Sequence, residues 1–230
     1  MSEERSDERM PGAAASGRDP TAKPDLDLVS RSIELPRGPV RIWQPRQAAE
    51  LPDDGAVDWA PVAPYWAVLW RSGVALAREL DGLDLRGRHL IELGCGLGLP
   101  SIAAARAGAE VLATDGDPEA LEAVHRNAAE NGVQLETDTV DWSSPDELIA
   151  RGPFDLAVGA DVLYERQSVA ALLSLLPRLS DEALIADPGR PASHPFIEQA
   201  ERRWELRTTR SGVISLYRLR STRSVRGARH

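Results

Sequence analysis

The chain has 230 residues, 42% hydrophobic, 27% charged and 5% aromatic, with a formal net charge of -9, which fits one main globular domain with a sizeable core. A lone cysteine, Cys95, excludes an internal disulfide framework, and four histidines without a Cys/His cluster or HExxH pattern leave no metal site; a reducing, cytoplasmic setting is expected. The longest apolar stretch, Ser101 to Ala113, is broken by Arg106 and Glu110, so no membrane-spanning helix is expected, and the acidic balance argues against a nucleic-acid partner.

Residues 1 to 27 are polar, carry Pro and Gly, and hold almost nothing to bury; they read as a disordered tail without the apolar core of a signal peptide. From Leu28 the pattern changes. Two β-prone runs, around Ile33 to Leu35 and Val40 to Trp43, flank the turn cluster Pro36-Arg37-Gly38-Pro39 and predict a short hairpin, part of an extension over residues 28–60. Tyr65 to Leu80 predicts one helix, because Trp66, Trp70, Val74 and Ala77 recur at spacings of four and three.

Strands and helices then alternate. His89 to Leu93 predicts a strand, Pro100 to Ala107 a helix and Glu110 to Thr114 a strand; Asp117-Pro118 opens a helix that Gly132 closes. Further strands are expected at Gln134 to Val140, Leu156 to Gly159, Ala183 to Ala186 and Val213 to Leu219, with helices at Ser168 to Leu179 and His194 to Arg203. Such alternation implies right-handed crossovers and a mostly parallel sheet that binds ligands at the carboxyl ends of its strands. The main domain runs from 28 to 220, and residues 221–230 form a basic tail.

The strongest motif is His-Leu-Ile-Glu-Leu-Gly-Cys-Gly-Leu-Gly-Leu-Pro, residues 89 to 100. A strand runs into Gly94, Gly96 and Gly98, which let the backbone turn sharply and approach a ligand, and the amides opening the next helix point into the same space. Leu99 stands where a dinucleotide fingerprint needs glycine, which disfavours a nicotinamide-dependent oxidoreductase. Asp115, at the end of the neighbouring strand, can accept both hydroxyls of a ribose. Together the loop and this acid indicate an adenosine-containing ligand.

These residues resemble the class I S-adenosylmethionine-dependent methyltransferases, whose first motif, acidic-x-Gly-x-Gly-x-Gly, matches Glu92 to Gly98. The resemblance implies a Rossmann-like, doubly wound, mostly parallel seven-stranded α/β sheet with helices on both faces. It also implies S-adenosylmethionine as cofactor, with the ribose on Asp115 and the adenine near Asp141 and Trp142. Three further segments, Pro-Tyr-Trp-Ala-Val-Leu-Trp at 64–70, Asp-Val-Leu-Tyr at 161–164 and Asp-Pro-Gly-Arg-Pro at 187–191, resemble the protein-lysine methyltransferase branch that includes the enzyme acting on the electron-transfer flavoprotein β-subunit. On that reading Trp70 lies near the cofactor, a protein lysine is the acceptor, and the enzyme is a monomer; charge and apolar-run length give no expectation of a nucleic-acid or membrane partner.

The residues make a chemical case of their own. Methyl transfer is an in-line displacement, so the protein mainly positions a nucleophile and excludes water. Asp161 can accept hydrogen bonds from an amine, and Tyr164 can supply a hydroxyl or an aromatic wall beside a cationic product. Asp187 and Arg190 fit either a substrate contact or a salt-bridged turn. Asp161 also fits a helix cap, Tyr164 rim packing and Asp141 a turn cap. A small amine or heterocycle is an alternative acceptor, and a non-catalytic interaction module is a further alternative.

Overall fold

The computed structural model describes residues 27–50 and 64–222. The expected tail at 1–27 apart from Asp27, residues 51–60 of the expected extension and most of the basic tail lie outside the described residues. In chain order the elements begin with an antiparallel pair, β1 (Leu28–Ile33) and β2 (Val40–Pro45), then the short α1 (Arg46–Ala49), a 3-10 turn at Tyr65–Ala67 and α2 (Arg71–Asp81). There follow β3 (His89–Leu93), α3 (Leu99–Arg106), β4 (Glu110–Asp115), α4 (Pro118–Glu130), β5 (Glu136–Thr139), α5 (Asp146–Arg151), β6 (Leu156–Ala160), α6 (Arg166–Leu179), β7 (Glu182–Asp187), α7 (Ser193–Ala200), β8 (Trp204–Ser211) and β9 (Ile214–Ser221).

Seven strands form one sheet in the order β5-β4-β3-β6-β7-β9-β8, parallel from β5 to β7 and antiparallel at β9 and β8. Alternation along each strand divides its side chains between two cores. Leu90, Val158, Leu184 and Leu216 pack with Leu76 and Leu80 of α2 and Ile102 of α3. Ile91, Leu93, Ile185 and Leu219 pack on the other face with Leu172 and Leu176 of α6 and Phe196 of α7. The chain steps from β3 outward to β4, then returns to place β6 on the other side of β3. That reversal leaves a crevice beyond the carboxyl ends of β3 and β6.

The hairpin is anchored by α4. Asn127 and Asn131, one turn apart, each pair their amide with the β2 backbone: Trp43 N–H donates to Asn127 Oδ1 at 2.8 Å and Arg41 N–H to Asn131 Oδ1 at 2.9 Å. These bonds satisfy an open strand edge, while the fully buried Val40 and Ile42 each contribute about 1.5–3 kcal/mol of apolar burial. Asn127 Nδ2 also donates to the carbonyl of Leu97, 3.0 Å away, and so ties the hairpin to the glycine loop.

The expected single helix from Tyr65 to Leu80 is corrected. Val68 and Trp70 are extended, with ψ of 133° and 143°, so the helix starts at Arg71 and the two tryptophans are not on its face. Val74 and Ala77 remain helical, and the aromatic residues line the crevice instead. Three elements went unforeseen: the short helices α1 and α5 and the edge strand β8, whose outward-facing charges mask its alternation.

Candidate functional site

The cleft beyond β3 and β6 encloses about 1130 Å³. Its floor is the glycine loop. Gly94, Gly96 and Gly98 have φ of 71°, 49° and 78°, in the left-handed region that side chains disfavour. At Gly96 space matters as well, since a Cβ there would stand 2.9 Å from the carbonyl oxygen of Trp66. The segment before α2 therefore lies directly against the loop, a contact that the sequence reading missed.

Two carboxyl groups hold the loop from below. Asp115 accepts from Gly96 N–H through Oδ2 at 2.9 Å and from Asp117 N–H through Oδ1 at 3.0 Å. Burial pushes its carboxyl above the usual carboxylate range, and these amide bonds oppose the shift. Glu92 accepts from the Ser101 N–H at 2.9 Å and from the Ser101 hydroxyl, bracing the first turn of α3. Burial drives the Glu92 carboxyl up to about 8, against the opposing pull of the Ser101 bonds and with a further push from Asp115. Cys95 is buried within the loop, where burial raises its thiol, and it packs with Ala113 and Val124.

Beside the loop, Trp142 is half-buried and Asp141 exposed, both lining the cleft. Asp141 Oδ1 accepts from Ser143 N–H at 2.8 Å, and that bond holds its carboxyl below the usual range.

At the other end, Asp161 follows β6 with φ of 59°, the one non-glycine residue with positive φ among those described. Its N–H donates to the Ala186 carbonyl at 2.9 Å, fixing that unusual conformation against β7. The buried Asp161 carboxylate receives a charge-assisted bond from Arg190 Nε. The Arg190 guanidinium carbon lies 5.8 Å from the ring centroid of Trp70, within cation–π range. Trp70 in turn donates from Nε1 to the Tyr65 carbonyl at 3.1 Å. Tyr65 and Tyr164, 61% and 55% exposed, line the same cleft and place two rings at its rim.

Asp187 is wholly buried and is not among the cleft-lining residues. Its Oδ1 accepts from the N–H groups of Gly189, at 2.7 Å, and Arg190, at 2.9 Å, so it shapes the turn that presents Arg190. Burial raises its carboxyl. Trp70, Glu92, Gly94, Gly96, Gly98, Asp115, Asp141, Trp142, Asp161, Tyr164 and Arg190 all border one cleft. The sequence reading did not single out Tyr65, Ser101 or Asn127. Asn127 left a trace, as a polar residue among Ala120, Val124 and Ala128 on the buried face of α4.

Residues 65–201 match the family described as lysine methyltransferase. The chain belongs to that family. Over 121 residues it is 39% identical to the protein N-lysine methyltransferase METTL21A of Danio rerio, covering 50% of this chain and 55% of that protein. Over 156 residues it is 37% identical to the electron transfer flavoprotein beta subunit lysine methyltransferase of Xenopus laevis, covering 62% and 61% respectively. The chain thus spans somewhat over half the length of these relatives. The fold is shared with the T. Thermophilus 16S rRNA N2 G1207 methyltransferase RsmC, with a TM-score of 0.61 at 18% identity over 86% of this chain and 51% of that one.

Among the described residues no helix is long and apolar enough to cross a membrane, and no group of His, Cys, Asp and Glu is arranged to hold a metal ion.

Proposed function

We propose that this family member is an S-adenosylmethionine-dependent N-methyltransferase that modifies a lysine side chain of a protein. The observation that carries the reading is the shared cleft: a glycine loop with the buried Glu92 and the half-buried Asp115 at one end, and a carboxylate flanked by aromatic rings at the other. The relatives named as protein-lysine methyltransferases support the choice of acceptor. We also read the enzyme as a cytoplasmic monomer without nucleic-acid or membrane partners, a reading supported by family resemblance and, for nucleic acid, by the net charge of -9.

The residues present suit the cofactor. The three glycines carry no side chain where their backbone borders the cleft, and each Asp115 oxygen, already holding one loop amide, retains a lone pair for a ribose hydroxyl. Trp142 offers a flat apolar face for the purine, and Asp141 a carboxylate beside it. The cofactor, when bound, supplies an electrophilic methyl group on sulfur. The chain's own residues then have three tasks. Tyr65, Tyr164 and Trp70 form an aromatic entrance for the lysine stem. Asp161 accepts a hydrogen bond from the amine through Oδ2, the oxygen that Arg190 Nε does not hold, and so aims the nitrogen lone pair. The enclosing walls limit water at the nucleophile.

The test is transfer of tritium from methyl-labelled S-adenosylmethionine into the proteins of a cell lysate, followed by mass spectrometry of labelled bands. Methylated lysine supports the reading. Label confined to small molecules or to RNA, or no label from protein that binds the cofactor, overturns it.

A further inference from the structure

Among the described residues, seven charged side chains line the cleft: Glu92, Asp115, Asp141, Asp161 and Glu165 against Arg178 and Arg190. Arg178 pairs with Asp146 at 3.2 Å. Arg190 is therefore the cation set against Asp161, and its placement is constructed from both sides. Its N–H donates to Asp187, and its carbonyl accepts from the Ser193 N–H at 3.0 Å and the Ser193 hydroxyl at 2.7 Å. The side chain is only 18% exposed, wedged between Asp161 and the Trp70 ring. A carboxylate and an aromatic face are the two groups that a cleft offers to an ammonium ion.

We propose that Arg190 is a positioning residue that supplies the fixed counter-charge of the transfer site, cancelling the charge of Asp161 so that the carboxylate aims the acceptor amine without trapping it as an ammonium ion. The inference rests on the reading of the cleft as a methyl-transfer site and deepens it. At neutral pH an ordinary lysine, with pKa near 10.4, is uncharged in fewer than about one molecule in a thousand. An unbalanced carboxylate beside it would lower that fraction further, since an opposite charge favours the protonated form. Only the neutral amine has a lone pair to attack with. A guanidinium keeps its charge at every pH an enzyme works at, so the compensation does not itself titrate. The other described acids around this part of the cleft have places of their own. Asp187 faces the Arg190 backbone, Glu165 precedes α6, and Glu92 and Asp115 are bonded to the glycine loop and α3.

The same balance governs the cofactor, because S-adenosylmethionine carries one positive charge more than S-adenosylhomocysteine. Calorimetric Kd values for both, on the full chain and its variants, read the field at the transfer site without an acceptor. In Arg190→Gln the preference for S-adenosylmethionine over S-adenosylhomocysteine should rise at least about threefold, because Asp161 is left uncompensated. Arg190→Lys, which keeps the charge, should retain the wild-type ratio. Asp161→Asn should lower the ratio at least about threefold. A purely structural prop would weaken both ligands together, so an unchanged ratio in Arg190→Gln and Asp161→Asn overturns the proposal. Should Arg190→Gln fail to fold by circular dichroism, Arg190→Met, which also removes the charge, decides by the same ratio. If the wild-type chain binds neither ligand, the cofactor reading itself fails, and the proposal with it.

Discussion

At the β3 end of the cleft the glycine loop and its two acids are supplied between Glu92 and Asp115, with Asp141 and Trp142 beside them after β5. At the β6 end, Trp70, Asp161 and Arg190 converge from the start of α2, the end of β6 and the turn after β7. The first end is local. Its carboxyl groups bond to amides within the loop and the first turns of α3 and α4, so it can be rigid whatever the rest of the cleft does. The second is a tertiary construction, resting on the Asp187 turn and a strained Asp161. A constant cofactor suits the first arrangement, whereas a family with many acceptors suits the second, where exchanging one side chain alters recognition and leaves the cofactor cradle intact.

The sharpest way to break the cradle is Gly96→Ala. A Cβ there meets the Trp66 carbonyl at 2.9 Å in a left-handed backbone, which combines about 1–2 kcal/mol of conformational cost with about 1–3 kcal/mol of overpacking. Thermal unfolding should show stability lower by about 2–5 kcal/mol, and calorimetry should show S-adenosylmethionine affinity down at least about tenfold.

A smaller effect follows from Glu92. Its folded-state value of about 8 lies above the ordinary 4.5, so between those limits the native state holds the proton more firmly than the unfolded chain does. Its contribution to stability is therefore full below about pH 4.5 and declines as pH rises toward 8, by at most about 1.4 kcal/mol per pH unit. Relative to wild type, Glu92→Gln should be more stable at pH 8.5 than at pH 5.5 in parallel denaturant titrations; a constant difference would contradict the assignment. The smallest effect belongs far from the cleft. Arg207 pairs with Glu205 along the exposed edge strand β8, and Arg207→Ala should change stability by less than about 0.5 kcal/mol and cofactor affinity not at all, checked by the same two methods.

How far each end was legible in the sequence follows from the same contrast. Glu92, Gly94, Gly96, Gly98 and Asp115 were readable because glycine spacing and strand-end position are local properties. Helices α3, α4 and α6 were readable from caps and apolar periodicity. The Tyr65 to Leu80 segment misled because Trp66, Trp70, Val74 and Ala77 carry helical spacing, although Trp66 lies in a 3-10 turn against Gly96 and Trp70 in extended chain before α2. The partner of Arg190 was not readable. Asp187 is its near neighbour in sequence, yet that carboxylate takes backbone amides and the guanidinium reaches back to Asp161.

The division of one cleft into a cofactor end and an acceptor end is read by measuring S-adenosylmethionine affinity and methyl transfer to lysate proteins side by side in Asp115→Ala and Asp161→Ala. Asp115→Ala should weaken cofactor binding at least about tenfold, roughly 1.4 kcal/mol. Asp161→Ala should abolish transfer while holding cofactor affinity within about fivefold. Equal loss of cofactor binding in both variants would contradict the division.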